Sequence, residues 1–524
     1  MARGVTFGRL DFKLVGSSEK SKGRQEPETP FRILVLGDFS GRASRDLLDP
    51  GALARRRPIL VDRDNLEEVM AGLGVEIRLS VGGPDRSSVS LGFSELEDFH
   101  PDRIFERLEV FQTLKETRQK LVDPRTFASA AAELRGWGAT AEQEKAGDRP
   151  PEPPSVAPEP AGVAAAGLLD EIIETTAGQP PQVRPSGGSS EWNAFLQEVV
   201  KPHLHPRADP RQAELLATLD ASTAELMRLI LHHHDFQAIE AAWRGIHFLV
   251  STLETDAELR LHLLDVSKGE LAADLTATED LRSTGTYKLF VEQTMETLGA
   301  EPWAVIAGNY AFDRTTEDAQ LLGRMAKIAR RAGAPFMAAA HPHLLGCDSL
   351  AETPDPDDWR QAVDEETGLA WEALRRLPEA PWVGLTLPRF LLRLPYGRET
   401  EPIERFDFEE TSETWNHEHY LWGNPALASA CLLGQAFSRY GWDLRPGVIR
   451  DIQGLPLHVY EAQGESRIKP CAEVVLTERA AEIILDQGLM PLLSFRDRDT
   501  VRLARFQSPA KPPTELAGRW SRTN

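Results

Sequence analysis

WAVIAGNYAFDRTTEDAQLLGRMAKIARRAGAPFMAAA, residues 303–340, is the stretch that decides the fold. Trp303–Ala307 is an apolar run of strand length. Thr315 with Asp318 three residues later marks a helix start. Leu321, Leu322, Met325, Ile328 and Ala329 then recur at helical spacing, and Gly333 ends the pattern. Pro335–Ala340 is a second apolar run. Strand, helix and strand joined by short links make a βαβ crossover, so the spacing predicts parallel pairing.

Upstream of this unit, Leu259, Leu261 and Leu263 alternate with Arg260 and His262, the pattern of a half-buried strand. Phe236, Ile239, Trp243, Ile246 and Val250 line one face of a helix capped at Asp235, and Ser222 with Glu225 reads as another helix start. FRILVL (Phe31–Leu36) is a buried strand that ends at Gly37-Asp38. Val75–Leu79 and Val89–Leu91 are strands around a turn at Gly82-Gly83-Pro84-Asp85, and Pro101–Leu121 is helical. Near the start, Leu10, Phe12 and Leu14 alternate with Asp11 and Lys13 ahead of a polar spacer, which predicts a strand on a tether.

Prolines 150, 151, 153, 154, 158 and 160 crowd the clearest linker, a segment too polar to offset its own ordering entropy. A short amphipathic island, Leu168-Leu169-Asp170-Glu171-Ile172-Ile173, follows it. The expected fold class is α/β: a mixed-sheet small module over 1–137, a linker over 138–190 with a short helix at 168–176, a larger α/β domain over 191–507, and a tail over 508–524.

The chain has 524 residues and a formal charge of −22. Residues 1–140 hold 22 basic and 22 acidic residues, so the whole acidic excess falls later. This charge argues against nucleic acid or anionic lipid as the main partner. Cys347, Cys431 and Cys471 are far apart and form no Cys-x-x-Cys, which predicts neither disulfides nor structural zinc. No apolar run reaches the ~18–20 residues of a membrane span. The N-terminus lacks a signal-peptide core, so the expectation is a cytoplasmic protein without membrane insertion.

No glycine precedes a lysine directly, so there is no P-loop, and no Gly-x-Ser-x-Gly elbow occurs. His203-x-His205, His232-His233-His234, His341-x-His343 and His417-x-His419 are the metal candidates. None has a His-Glu-x-x-His frame or a cysteine partner, so they read as ordinary histidines, and neither metal nor cofactor is expected. Glu409-Glu410 and Asp355, Asp357 and Asp358 read as solvated loop carboxylates.

PFRILVLGDFSGR (Pro30–Arg42), RRRPILVDRDNLEEVM (Arg55–Met70) and LEDFHPDRIFERLEVFQTLKETRQKL (Leu96–Leu121) resemble the small subunit of the type VI secretion contractile sheath. LILHHHDFQAIEAAWRGIHFLV (Leu229–Val250), LFVEQTMETLGAEPWAVIAGNYAF (Leu289–Phe312), APFMAAAHPHLLG (Ala334–Gly346), VGLTLPRFLLRLPYG (Val383–Gly397) and HYLWGNPALASA (His419–Ala430) resemble the large subunit. The resemblance covers roughly 1–137 and 165–507 and implies two normally separate subunits fused in one chain. Compared with the family, the sequence after Phe506 is expected to be shortened, lacking further helices and a C-terminal β-segment. Arg375-Arg376-Leu377-Pro378 stands where the family has an acidic loop.

The resemblance implies a structural, non-catalytic protein that polymerises helically around an inner tube and contracts. Its implied partners are other copies, separate sheath subunits, the tube protein, the baseplate and an AAA+ recycling unfoldase. Leu10, Phe12 and Leu14 are the implied strand-exchange residues, with folding back onto the chain's own sheet as the alternative. Leu168, Leu169, Asp170, Ile172 and Ile173 are the implied unfoldase-binding residues, with docking on their own domain as the alternative. Arg389 suits either a subunit contact or an internal ion pair. Two other readings stand beside the sheath: a non-polymerising cap or accessory paralogue, and a metal-dependent enzyme using the histidine clusters, for which His234 and His343 are the positions to substitute.

Overall fold

The computed structural model describes residues 5–10, 29–79, 89–134, 212–360, 365–411, 416–462 and 464–520. The chain forms two compact units. One comprises Met1–Leu73, Ile239–Leu394 and Asn416–Asn524, and the other Gly74–Ala238 and Pro395–Trp415. In chain order the strands are β1 Phe31–Gly37, β2 Ile59–Val61, β3 Val75–Leu79, β4 Val89–Phe93, β5 Leu259–Asp265, β6 Val305–Phe312, β7 Phe336–Ala340 and β8 Val383–Leu387. They continue with β9 Phe390–Leu391, β10 Trp422–Gly423, β11 Asp451–Ile452, β12 His458–Ala462, β13 Glu465–Lys469, β14 Met490–Ser494, β15 Val501–Leu503, β16 Gln507–Ser508 and β17 Thr514–Glu515.

In the first unit, nine strands among the described residues form one sheet in the order β11-β15-β14-β8-β7-β6-β1-β5-β2. From β14 through β5 every pairing is parallel. β2 joins one edge antiparallel, and β15 and β11 do so at the other. The inner strands carry near-continuous apolar runs because helices cover both faces. FMAAA of β7 and VGLTL of β8 are buried at every position.

The crossover forms as its spacing predicts, with helix Thr316–Ala332 between β6 and β7. The Thr315 hydroxyl accepts from the Asp318 N–H, and Gly333 ends the helix at φ 68°, a left-handed conformation that glycine adopts without a Cβ penalty. β6 extends beyond the expected Ala307 to Phe312, across a register shift between Ala307 and Ala311. The buried Tyr310 hydroxyl donates to the Val266 carbonyl at 2.5 Å, which satisfies the polar group that this extension buries.

The division in space is not the division in sequence. β1 and β2 come from before the proline-rich segment, yet β1 lies between β5 and β6 in the middle of the sheet. The expected tail is also structured as far as it is described. β16 and β17 pair, Leu516 is buried, and Arg519 donates to the carbonyls of Trp303 and Ala332.

In the second unit, β3 and β4 pair antiparallel as expected. The predicted helix Pro101–Leu121 is two helices, Pro101–Arg107 and Glu109–Val122, divided at Leu108 with ψ 125°. The Gln112 side chain donates to the carbonyls of Phe105 and Glu106, supplying partners that the break removes. Ser222 is no helix start. It lies inside helix Gln212–Leu231, where its hydroxyl donates back to the Thr218 carbonyl. His233, not Asp235, caps helix His234–Thr252, its Nδ1 accepting from the Asp235 N–H at 3.2 Å. Phe93, Phe99 and Phe236 form an aromatic cluster, with Phe93 stacked on Phe99 at 4.3 Å.

Candidate assembly site

Parallel strands end at one edge of the sheet, and there the GDFSGR loop after β1 meets the end of β5. Asp265 accepts from the N–H groups of Phe39 and Ser40 and from the Ser40 hydroxyl, at 2.8, 3.1 and 2.7 Å. Asp38 accepts from the N–H groups of Arg42 and Ala43, which fixes the loop. Trp243 donates its indole N–H to the Phe39 carbonyl at 2.9 Å.

Glu270 is the centre of this seam. Its side chain is fully buried and accepts from Arg42 Nη2 at 2.8 Å, from Arg56 Nη1 at 3.0 Å and Nη2 at 2.5 Å, and from the N–H groups of Asp49 and Ser267. Burial alone would raise its carboxyl pKa. Arg56, the two N–H groups and Arg42 together bring it down to about 2. Removing one partner from such a buried ionic cluster costs about 3–5 kcal/mol, because the other charge stays desolvated. The seam therefore locks Asp38–Arg56 to Asp265–Glu270 in a single arrangement. No sequence motif announces Glu270; the Ser267-x-x-Glu270 capping box was the available signal.

The first described segment, Val5–Leu10, docks on the same unit. Arg9 forms a parallel bridge with Asp280, through Arg9 N–H to Glu279 O at 2.6 Å and Leu281 N–H to Arg9 O at 3.1 Å. Lys327 Nζ donates to the Gly8 carbonyl at 2.7 Å, and the Thr6 hydroxyl donates to Glu279 at 2.7 Å. The Phe7 ring fills the space left by the missing side chain of Gly323, where a Cβ would collide with it. Of the predicted exchange residues, Leu10 is half-buried against this unit's core, while Phe12 and Leu14 lie outside the described residues. Leu168, Leu169, Asp170, Ile172 and Ile173 also lie outside them.

Among the described residues β2 borders the sheet, with Leu60 exposed on it, and β11 borders the other side. The unshared side of each is where a further strand can pair. No helix among the described residues is long and apolar enough to cross a membrane.

Several sequence readings change in three dimensions. Arg389 is an internal ion partner, its Nε 2.7 Å from Glu473 and its Nη2 3.0 Å from Glu418. Glu410, read as a solvated loop carboxylate, is fully buried, accepts from the Tyr396 N–H at 2.7 Å and faces His232 Nε2 at 3.4 Å. Asp355 caps a short turn by accepting from the Asp357 N–H, and Asp357 pairs with Arg479 at the surface. His203 and His205 fall outside the described residues. The His419 ring accepts from the Asn416 N–H in a capping box.

Residues 14–136 match the type VI secretion system family described as VipA, VC_A0107 or Hcp2. Residues 213–509 match the family described as VipB, the EvpB/VC_A0108 tail sheath N-terminal domain. The chain is 36% identical over 304 residues to the type VI secretion system sheath protein TssC1 of Pseudomonas aeruginosa PAO1. That alignment takes in 57% of this chain and 61% of the relative, so the chain spans less than two thirds of its relative's length. The two matches follow one another in a single polypeptide, and the second covers more than half of it: the chain belongs to the tail sheath family of type VI secretion systems.

Proposed function

We propose that the chain is a structural subunit of a type VI secretion contractile sheath. In this reading it carries the small and large sheath parts in one polypeptide, polymerises helically around an inner tube, and contracts to drive the tube outward. The observation that carries the proposal is the seam. The segment that matches the small sheath family supplies central strand β1, edge strand β2 and two arginines to a sheet whose other seven strands fall in the segment that matches the large one. Two pieces that share a sheet and a buried ion cluster move as one body, which suits a part that must transmit force. Heterologous contacts that do not close generate filaments, and contraction requires packing with two discrete arrangements rather than nucleotide hydrolysis. The partners proposed with it are other copies, separate sheath subunits, the tube protein, the baseplate and an AAA+ unfoldase acting at Leu168–Ile173. The protein is proposed to be cytoplasmic and non-catalytic.

The docking of Val5–Leu10 on its own chain favours a second reading, a non-polymerising cap or accessory paralogue. The same groove serves either arrangement. Residues 11–28, if fully extended, reach up to about 60 Å, so an identical contact is available to a neighbouring copy as a domain swap. Negative-stain electron microscopy of the purified chain separates the two. Long hollow tubes support the sheath subunit; discrete particles at every concentration support the cap.

A further inference from the structure

Phe312 at the end of β6 lies in register with Ala340 at the end of β7. The next residues, Asp313 and His341, therefore emerge side by side at the C-terminal edge of adjacent parallel strands. The His341 N–H donates to the Phe312 carbonyl at 2.8 Å, which fixes this spacing. The short turn Pro342–Leu345 folds His343 back over His341, with ring centroids 4.1 Å apart. Each of Asp313, His341 and His343 offers a ligand atom, and these atoms all lie within 4.8 Å of one another.

We propose that Asp313, His341 and His343 bind one zinc-like divalent cation per chain, with Asp348 as the carboxylate that orients His343. His343 Nδ1 is 2.8 Å from Asp313, and its Nε2 is 3.0 Å from Asp348. A ligating histidine that hands its other nitrogen to a carboxylate is the usual support of a zinc site. Here the outer carboxylate is already in place. Ligand atoms around tetrahedral zinc are about 3.4 Å apart, so small side-chain rotations close the cluster on an ion. Two imidazoles and one carboxylate favour zinc, cobalt or nickel over calcium or magnesium. The three side chains are 33–37% exposed, which leaves an entry path and a position for solvent.

Two other clusters are poorer hosts. His233 Nδ1 caps a helix much as His341 Nδ1 caps the turn Pro342–Leu345, accepting from the His343 N–H at 3.4 Å, but the neighbouring His234 side chain is 82% exposed, against 37% for His341 and 36% for His343. In the group His417, Glu418 and Glu473, Arg389 bonds both carboxylates and Lys469 Nζ lies 2.8 Å from His417 Nδ1, so two cations already hold that place.

The proposal does not rest on assembly, and the test uses no assembled state. The full chain, made without a polyhistidine tag and stripped with chelator, is titrated with zinc by calorimetry. Cobalt is then added in its place and its absorption recorded. The expected result is one saturable equivalent with micromolar affinity and a tetrahedral cobalt spectrum. Binding is lost in Asp313→Asn and His343→Gln, weakened roughly 10–100-fold in Asp348→Asn, and unchanged in His234→Gln. Circular dichroism checks that each variant is folded. Absence of a one-equivalent phase, or wild-type binding in folded His343→Gln, overturns the proposal. If that variant does not fold, an octahedral aquo-like cobalt spectrum of the wild-type chain overturns it, and the tetrahedral spectrum supports it.

Discussion

Arg56 donates to both carboxylate oxygens of Glu270, 214 positions further along the chain, and Glu270 has no exposure to solvent. The pair joins segments on opposite sides of the proline-rich stretch. Arg42, only 18% exposed at its side chain, shares the same carboxylate. Glu270→Ala leaves both guanidinium groups without their buried partner. The expected cost is about 3–5 kcal/mol in urea unfolding, with a smaller loss for Glu270→Gln, which keeps one acceptor oxygen. Equal midpoints for wild type and Glu270→Ala would contradict the role given to the seam.

Limited proteolysis tests the sheet topology. Cleavage is expected within 141–165, where prolines and charges dominate the sequence. The two fragments should elute together on a sizing column, since β1 is hydrogen-bonded to β5 on one side and β6 on the other. Elution as two separate species in native buffer counts against this pairing.

Acid should weaken the fold in two stages. Burial, followed by the nearby charges of Arg32 and Arg260, lowers the His262 pKa from 6.5 to about 4. The unfolded chain thus takes up that proton first, and stability falls as pH drops from 6.5 to 4, by ~3 kcal/mol. Glu270, depressed from 4.5 to about 2, contributes stability that is present above pH 4.5 and lost between 4.5 and 2. His262→Phe should flatten the first stage and leave the second. An unchanged slope between pH 6.5 and 4 in that variant would refute the assignment to His262.

Gly323→Ala tests the N-terminal dock. In an open helix interior the change stabilises by about 1 kcal/mol. Here the new methyl takes the place of the Phe7 ring, so the expected result is release of Val5–Leu10. Hydrogen exchange should lose protection at Arg9 and Leu281, whose N–H groups form the bridge. Retained protection would mean the segment docks elsewhere.

Leu516→Ala tests the end of the chain. Leu516 is 2% exposed and lies against Gly384 and its surroundings. Arg375 donates Nε to the Pro509 carbonyl at 2.9 Å, and its own carbonyl accepts from the Lys511 N–H at 2.9 Å. A loss of about 2–4 kcal/mol is expected in thermal or urea unfolding. No loss would mean that this end contributes nothing to the core.

Local pattern alone determined many of the individual elements, though not the break at Leu108 or the helix through Ser222. Phe31–Leu36, Val75–Leu79, Leu259–Leu263 and Pro335–Ala340 read as strands because their apolar runs and alternations are short-range. The Thr315-to-Gly333 helix announced both its ends through residues that satisfy its own terminal N–H and C=O groups. The strings after those elements also carried the family. Partnership across the sheet was not legible, since hydrogen bonds between strands carry no sequence code. Only the tertiary structure placed β1 between β5 and β6, converting a boundary in sequence into the middle of a sheet. It also decided which polar residues are buried. Glu410 reads as a solvated carboxylate in the sequence and nothing there marks Glu270 as buried; the arginines, histidine and N–H groups brought to them in the fold make their burial tolerable.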